Sequence, residues 1–329
     1  MTSCIFRRSF LVAVVAVIAL PLSADRLIDF GFLPSQSAWS IFAIDPVSGS
    51  FTPIVTGVTA GSIYGGGQAL DPVRQRFFFL RQDTSELFTV NLLNQQVDRV
   101  PVPSCCSFLQ YDVGTGRLLG FGFLPSQSIW SIFAIDPASG SFTPIVTGVT
   151  AGSIYGGGQA LDPVGQRFFF LRQDTSELFT VNLQNQQVTR VPVPSCCAFL
   201  QYDVVGARLL GFGFLPSQST WSIFAIDPAS GSFTPIVTGV TAGSIYEGGQ
   251  AFDSVGQRFF FVRQDTSELF TVNLQNQQIT RVNTASCCGF LSFQIAGAAA
   301  AAPLGDTRSY IVLAIVLIAI ALLALHQGR

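Results

Sequence analysis

The chain has 329 residues, of which 49% are hydrophobic and only 11% charged, and its net charge is −2. That balance offers no basic footprint for nucleic acid. All 17 basic residues are arginine, so Schiff-base and other lysine chemistry is excluded. The only histidine, His326, sits in the C-terminal tail. Everything before it therefore lacks His-based acid–base catalysis, a Ser-His-Asp triad, and His-ligated zinc or haem.

Residues 1–24 have the layout of a secretory signal peptide. Arg7 and Arg8 form a positive start, Phe10 to Leu20 an apolar stretch, and Pro21-Leu-Ser-Ala24 a small-residue cleavage region. A membrane anchor is the alternative for the same stretch, but the apolar run is short for it.

Residues 25–297 are organised by repetition. W-S-I-F-A-I-D-P begins at Trp39, Trp130 and Trp221, a spacing of 91 residues both times. Each 91-residue unit divides into two related halves. One carries W-S-I-F-A-I-D, S-F-T-P-I-V, Q-A-L-D-P and R-F-F-F; the other carries E-L-F-T-V-N-L, Q-V-x-R-V, F-L-Q-Y-D and R-L-L-G-F. Four short apolar strands in about 45 residues, separated by Asp-Pro, Ser-Gly and Asn-Gln turns, have the pattern of a β-propeller blade. The 31 Phe and 31 Gly fit such packed strands and tight turns. Three double units predict an all-β, six-bladed propeller, against a sandwich or linear β array.

The two ends complete each other. Arg26 to Phe32 matches the second strand of a blade, while Gly289 to Ile295 matches a first strand and then the pattern stops. The C-terminal strand is thus expected to join three N-terminal strands in one blade, a 3+1 closure that removes two sheet edges. The connections then sort onto two faces. The turns after Asp45 and Asp71 fall on one. The segments from Leu33, Arg81 and Pro103, together with a long loop from Thr56 to Gly67, fall on the other, which is the expected binding face.

Residues 298–309 read as a linker. The segment 310–329 holds sixteen apolar residues from Tyr310 to Leu325, then His326-Gln-Gly-Arg329. As a helix the run would reach about 24 Å, near a bilayer's hydrocarbon thickness, and it is expected to be a transmembrane segment. Pro303-Leu304-Gly305, a short polar segment, one apolar helix and terminal Arg329 resemble the bacterial C-terminal sorting signals of the IPTL type. That resemblance implies an exported protein whose tail is handled by a membrane-embedded processing enzyme. The repeats in turn resemble bacterial exported propellers with degenerate YVTN- or NHL-type blades. These readings place the protein outside the cytoplasm, membrane-anchored or at the cell surface of a bacterial envelope.

Six cysteines form three adjacent pairs, Cys105-Cys106, Cys196-Cys197 and Cys287-Cys288, each just before a first strand. Export would put them in an oxidising compartment. Vicinal disulfides are the sharpest reading; Cα atoms about 3.8 Å apart would make such bonds strained and more reducible. Free half-buried thiols and a cysteine metal site stay open. Asp45, Asp71 and Asp112 with their copies stand where an Asp side chain caps a turn, a structural role favoured over metal binding. Gly65-Gly-Gly-Gln68 has no following Lys and is not a phosphate loop. Nothing else in the sequence has the spacing of a cofactor site.

The candidate binding residues are Arg81 and Asp83, with Arg172, Asp174, Arg263 and Asp265, read either as solvated ion pairs or as a threefold recognition site. Tyr64, Tyr155 and Tyr246 are the candidates for exposed contact from the long loop, while Trp39, Trp130 and Trp221 read as core. Threefold copies supply one residue type three times, whereas catalysis needs different groups in one place. The sequence therefore favours a non-catalytic exported propeller that binds an envelope protein or glycan. The alternative is a calcium-dependent lactonase-like or sugar-dehydrogenase-like propeller enzyme.

Overall fold

A computed structural model describes residues 26–33, 37–59, 61–103, 106–124, 128–150, 152–194, 197–215, 219–241, 243–284 and 288–294. They form six four-stranded antiparallel sheets. The first holds β1 (Arg26–Leu33), β2 (Ala38–Ile44) and β3 (Phe51–Thr59). The second is β4 (Ile63–Asp71), β5 (Arg76–Arg81), β6 (Glu86–Asn91) and β7 (Val97–Pro101). The third is β8 (Cys106–Asp112), β9 (Arg117–Leu124), β10 (Ile129–Ile135) and β11 (Phe142–Thr150). The fourth is β12 (Ile154–Asp162), β13 (Arg167–Arg172), β14 (Glu177–Asn182) and β15 (Val188–Pro192). The fifth is β16 (Cys197–Asp203), β17 (Arg208–Leu215), β18 (Thr220–Ile226) and β19 (Phe233–Thr241). The sixth is β20 (Ile245–Asp253), β21 (Arg258–Arg263), β22 (Glu268–Asn273) and β23 (Ile279–Asn283). The last strand, β24 (Cys288–Gln294), pairs with β1 and completes the first sheet in the order β24-β1-β2-β3. The fold is the six-bladed propeller expected from the repeats, closed 3+1.

The run R-F-F-F-L-R explains why the blades stack. A strand covered on both faces can be apolar at every position, and Phe77, Phe78, Phe79 and Leu80 are all buried. Phe77 and Phe79 pack with Ile28 and Phe30 of the first blade. Phe78 and Leu80 point the other way, into a cluster with Leu109, Leu118 and Phe133 of the third. The alternation of side chains along a strand thus feeds two cores, and one such cluster fills each of the six blade interfaces.

Turns on one face are held by aspartates, buried at Asp71 and exposed at Asp45. Asp71 Oδ1 accepts from the Val73 and Arg74 amides, and Oδ2 takes the Arg76 guanidinium at 2.8 Å. Asp45 caps the Val47 amide at 2.9 Å and accepts from the Ser48 hydroxyl. These are the capping roles read from the sequence.

The long loop from Thr56 to Gly67 is not observed. β3 runs to Thr59 and β4 begins at Ile63, so three residues connect them. The glycine run is a bulge inside a strand: pairing with β5 passes from Ile63↔Arg81 to Gln68↔Phe79, five residues on β4 against two on β5. The extra residues bulge out of the pairing with β5 without ending the strand. The segments expected at 1–24 and 310–329 lie outside the described residues. Among the described residues no helix is long and apolar enough to cross a membrane.

Candidate functional site

Three copies of one side-chain module occupy the face expected for binding. Each is built across two blades. In the first copy, Trp39 of β2 packs on the buried Phe30 and Phe290, with ring centroids 5.0 and 5.9 Å away. Its indole Nε1–H donates to the Gly61 carbonyl at 2.9 Å, which fixes the short link between β3 and β4. Gly61 has φ +107°, and a Cβ there would lie 2.5 Å from Asp83 Oδ2 and 2.7 Å from an Arg81 Nη2. Only glycine lets the link pass so close to that ion pair.

Arg81 closes the module. Its Nε donates to Asp83 Oδ1 at 2.9 Å, its Nη2 to Asp83 Oδ2, and its Nη1 to the Thr59 hydroxyl at 3.3 Å. The hydrogen bonds with Asp83 raise the guanidinium pKa above its ordinary value and hold the Asp83 carboxyl below its own. The arginine side chain is 16% exposed and the aspartate 42%. The pair is therefore only partly solvated: the guanidinium is half-buried beside the link, and the carboxylate faces out.

The other copies repeat these contacts. Trp130 donates to Gly152 and Trp221 to Gly243, both at 2.8 Å. Arg172 grips Asp174 and Thr150, and Arg263 grips Asp265 and Thr241. Beside each tryptophan lies an edge-on phenylalanine, Phe32, Phe123 or Phe214, each 36–37% exposed. Each module thus presents an aromatic edge and an outward carboxylate held by its arginine.

The three tyrosine positions fall on strands and not in a long loop. Tyr155 lies on β12, half-buried against the core that joins the fourth and fifth blades. Tyr64 and Tyr246 fall in β4 and β20, with side chains outside the described residues. Cys105, Cys196 and Cys287 are also outside them. Cys106, Cys197 and Cys288 are described only as the first backbone positions of β8, β16 and β24.

The second feature is a central cavity of about 200 Å³ at the propeller axis. Gln68, Gln159 and Gln250, each three residues before the Asp that ends its strand, and Gln110, Gln201 and Ser292, each two residues before the matching strand end, all line it. The ionisable side chain among the described lining residues is Tyr111, whose pKa is raised by burial and by the neighbouring Asp71. It stays protonated and is a poor base at neutral pH. Among the described residues no group of three His, Cys, Asp or Glu gathers as a metal site.

Sequence reasoning missed Gln75, Gln166 and Gln257. Each sits in a turn with positive φ and joins neighbouring blades. Arg117 donates to Gln166 and Arg208 to Gln257, while each glutamine Nε2 reaches a buried Asp, Asp112 or Asp203. The signal was available: Arg26–Gln75, Arg117–Gln166 and Arg208–Gln257 share a spacing of 49 residues.

No protein-family model and no curated protein matches the sequence. Among solved structures the chain is similar to TolB from Acinetobacter baumannii, with a TM-score of 0.60 and 12% identity over 82% of this chain and 67% of that one. It is also similar to a chain of a nidogen/laminin complex, with a TM-score of 0.56 and 11% identity over 83% and 98%. The periplasmic gluconolactonase of Pseudomonas aeruginosa aligns with a TM-score of 0.51 and 13% identity over 83% and 99%. The neighbours share the propeller fold, and they include both enzymes and proteins of other kinds.

Proposed function

We propose that this protein is a non-catalytic, exported propeller that binds an envelope glycan or protein through its three equivalent surface modules. The observation that carries this reading is the repetition of the Trp–Gly–Arg–Asp module with the same hydrogen bonds in all three copies. Equal sites on one rigid ring suit multivalent contact, where linked weak interactions gain avidity. The aromatic edge beside an outward hydrogen-bond acceptor suits hydroxyl-bearing partners. The proposed setting is the bacterial envelope, with the segment 310–329 as membrane anchor or as the substrate of a membrane-embedded processing enzyme.

The test is a binding screen of the purified protein against a glycan array and isolated envelope proteins, read by surface plasmon resonance. A partner should be found whose avidity falls about tenfold or more with Asp83→Asn and vanishes in the triple variant that adds Asp174→Asn and Asp265→Asn. A flat screen together with calcium-dependent hydrolysis of lactones would replace this reading with the enzymatic one.

A further inference from the structure

Gln68, Gln159 and Gln250 occupy one position of the 91-residue repeat, on β4, β12 and β20. These strands approach one another across the axis to within 8 Å between Cα atoms. Their carboxamides form a cycle. A Cβ on Gly66 would lie 2.9 Å from Gln159 Nε2, one on Gly157 2.8 Å from Gln250 Nε2, and one on Gly248 2.9 Å from Gln68 Nε2. Each side chain is thus packed against the glycine bulge of another inner strand, and φ values of +76° to +79° keep those bulges glycine.

Each member leaves its carbonyl oxygen buried with no hydrogen-bond partner: Gln68 Oε1, Gln159 Oε1 and Gln250 Oε1. Gln159 and Gln250 are each only 5% exposed. A buried acceptor without a donor carries its full desolvation cost, and native proteins rarely leave one so. Here the same oxygen is unmet in three copies around one axis. Three equivalent unmet acceptors on strands that meet at the axis call for a positively charged partner.

We propose that this carboxamide ring is a binding site for a monovalent alkali cation. Hard cations take oxygen ligands, and divalent sites usually recruit carboxylates. The described lining residues of the cavity carry none. Rings of neutral carbonyl oxygens instead match the lower hydration cost of a monovalent ion. The second set, Gln110, Gln201 and Ser292, stands one residue nearer the strand end and is broken by the serine, so the complete ring is the one from β4, β12 and β20. The site is independent of the surface modules.

The test uses the purified full chain at fixed ionic strength, with KCl or NaCl replacing choline chloride. One alkali cation should raise the thermal midpoint saturably; at ten times its dissociation constant the unfolding equilibrium constant falls about elevenfold. Gln159→Ala should abolish the effect and Gln201→Ala should preserve it. Gln159→Glu supplies a carboxylate and should lower the half-saturating Ca²⁺ concentration at least tenfold, which keeps the test decisive if the alanine variant does not fold. Crystals equilibrated with thallium(I) should show one anomalous peak on the axis. Equal midpoints in all three salts, persistence of the effect in Gln159→Ala, no Ca²⁺ gain in Gln159→Glu, or an axial density without anomalous signal (an ordered water only) would each overturn the proposal.

Discussion

The blade that closes the ring and the two blades that copy it inside the chain solve the same packing problem with different covalent connections. In the third and fifth blades the inner strand runs into its neighbour through a tight turn. There Asp112 accepts from the Gly114 amide at 3.0 Å, pairs with Arg117 at 3.4 Å and receives Gln166 Nε2 at 3.0 Å. Asp203 does the same for Gly206, Arg208 and Gln257. In the first blade β24 and β1 come from opposite ends of the fold and share no turn. Gln294 replaces the aspartate, and Arg26 donates to Gln294 Oε1 and Gln75 Oε1, both at 2.9 Å. Burial lowers the Arg26 pKa.

The difference separates two jobs that the internal copies merge. The apolar side of the seam is retained: Phe290 and Leu291 stand where Phe108 and Leu109, or Phe199 and Leu200, stand elsewhere, and all are buried. The polar side is rewritten, with Phe293 for Tyr111 and Tyr202 and Ser292 for Gln110 and Gln201. A buried carboxylate is tolerable where a turn offers backbone N–H groups. Without the turn those donors are absent, and a neutral amide serves better. Closure therefore rests on packing, and the charge network belongs to the turns.

The largest test of that division is Phe290→Ala. Removing a buried aromatic that stacks near Trp39 and Phe30 should cost about 3–5 kcal/mol in urea unfolding. Phe199→Ala should cost a similar amount. The two should differ in hydrogen exchange: Phe290→Ala should speed exchange selectively at β1 amides, because no turn tethers the seam, whereas Phe199→Ala should speed it through global unfolding. Equal patterns would show that the seam opens no more readily than a hairpin.

A smaller effect is expected from exchanging the polar partners. Asp203→Asn, which removes a buried charge from its arginine, should cost about 1–3 kcal/mol. Gln294→Asp should gain about 1 kcal/mol at neutral pH by giving Arg26 a charge-assisted partner. A loss of stability in Gln294→Asp would mean that the backbone donors of the turn, not the arginine, make the carboxylate acceptable.

Much of this architecture could be read in the amino-acid order, because a propeller blade is a local object. Its four strands are consecutive, and R-F-F-F, W-S-I-F-A-I-D and E-L-F-T-V-N-L announce them by composition and turn spacing. Closure was legible for the same reason: Arg26 to Phe32 and Gly289 to Ile295 are each half of a recurring pair. The failures are non-local. Glycine triplets usually mark loops, and nothing local says that Gly65-Gly-Gly67 bulges within β4 to meet Gln159 from a strand 91 residues on. The same holds for Arg81, which the link fixed by Trp39 partly shields from solvent.

The smallest expected effect concerns the equivalence of the three modules. Asp83, Asp174 and Asp265 are each held below the ordinary carboxylate value of 3.8 by hydrogen bonds from their arginines. A folded pKa below the unfolded one adds stability that is complete above that value and is lost as pH falls through the lower, folded one. Urea midpoints followed from about pH 5 to about pH 2 should therefore decline, with these three groups contributing equal shares. Asp83→Asn should remove about a third of their joint contribution, and so should Asp174→Asn or Asp265→Asn. Asp45, Asp136 and Asp227 are also lowered, by their own turn hydrogen bonds on the opposite face, and contribute to the residual slope that remains in the triple variant. Unequal shares would mean that one module differs from its copies, and that module would then be the first place to look for a preferred ligand.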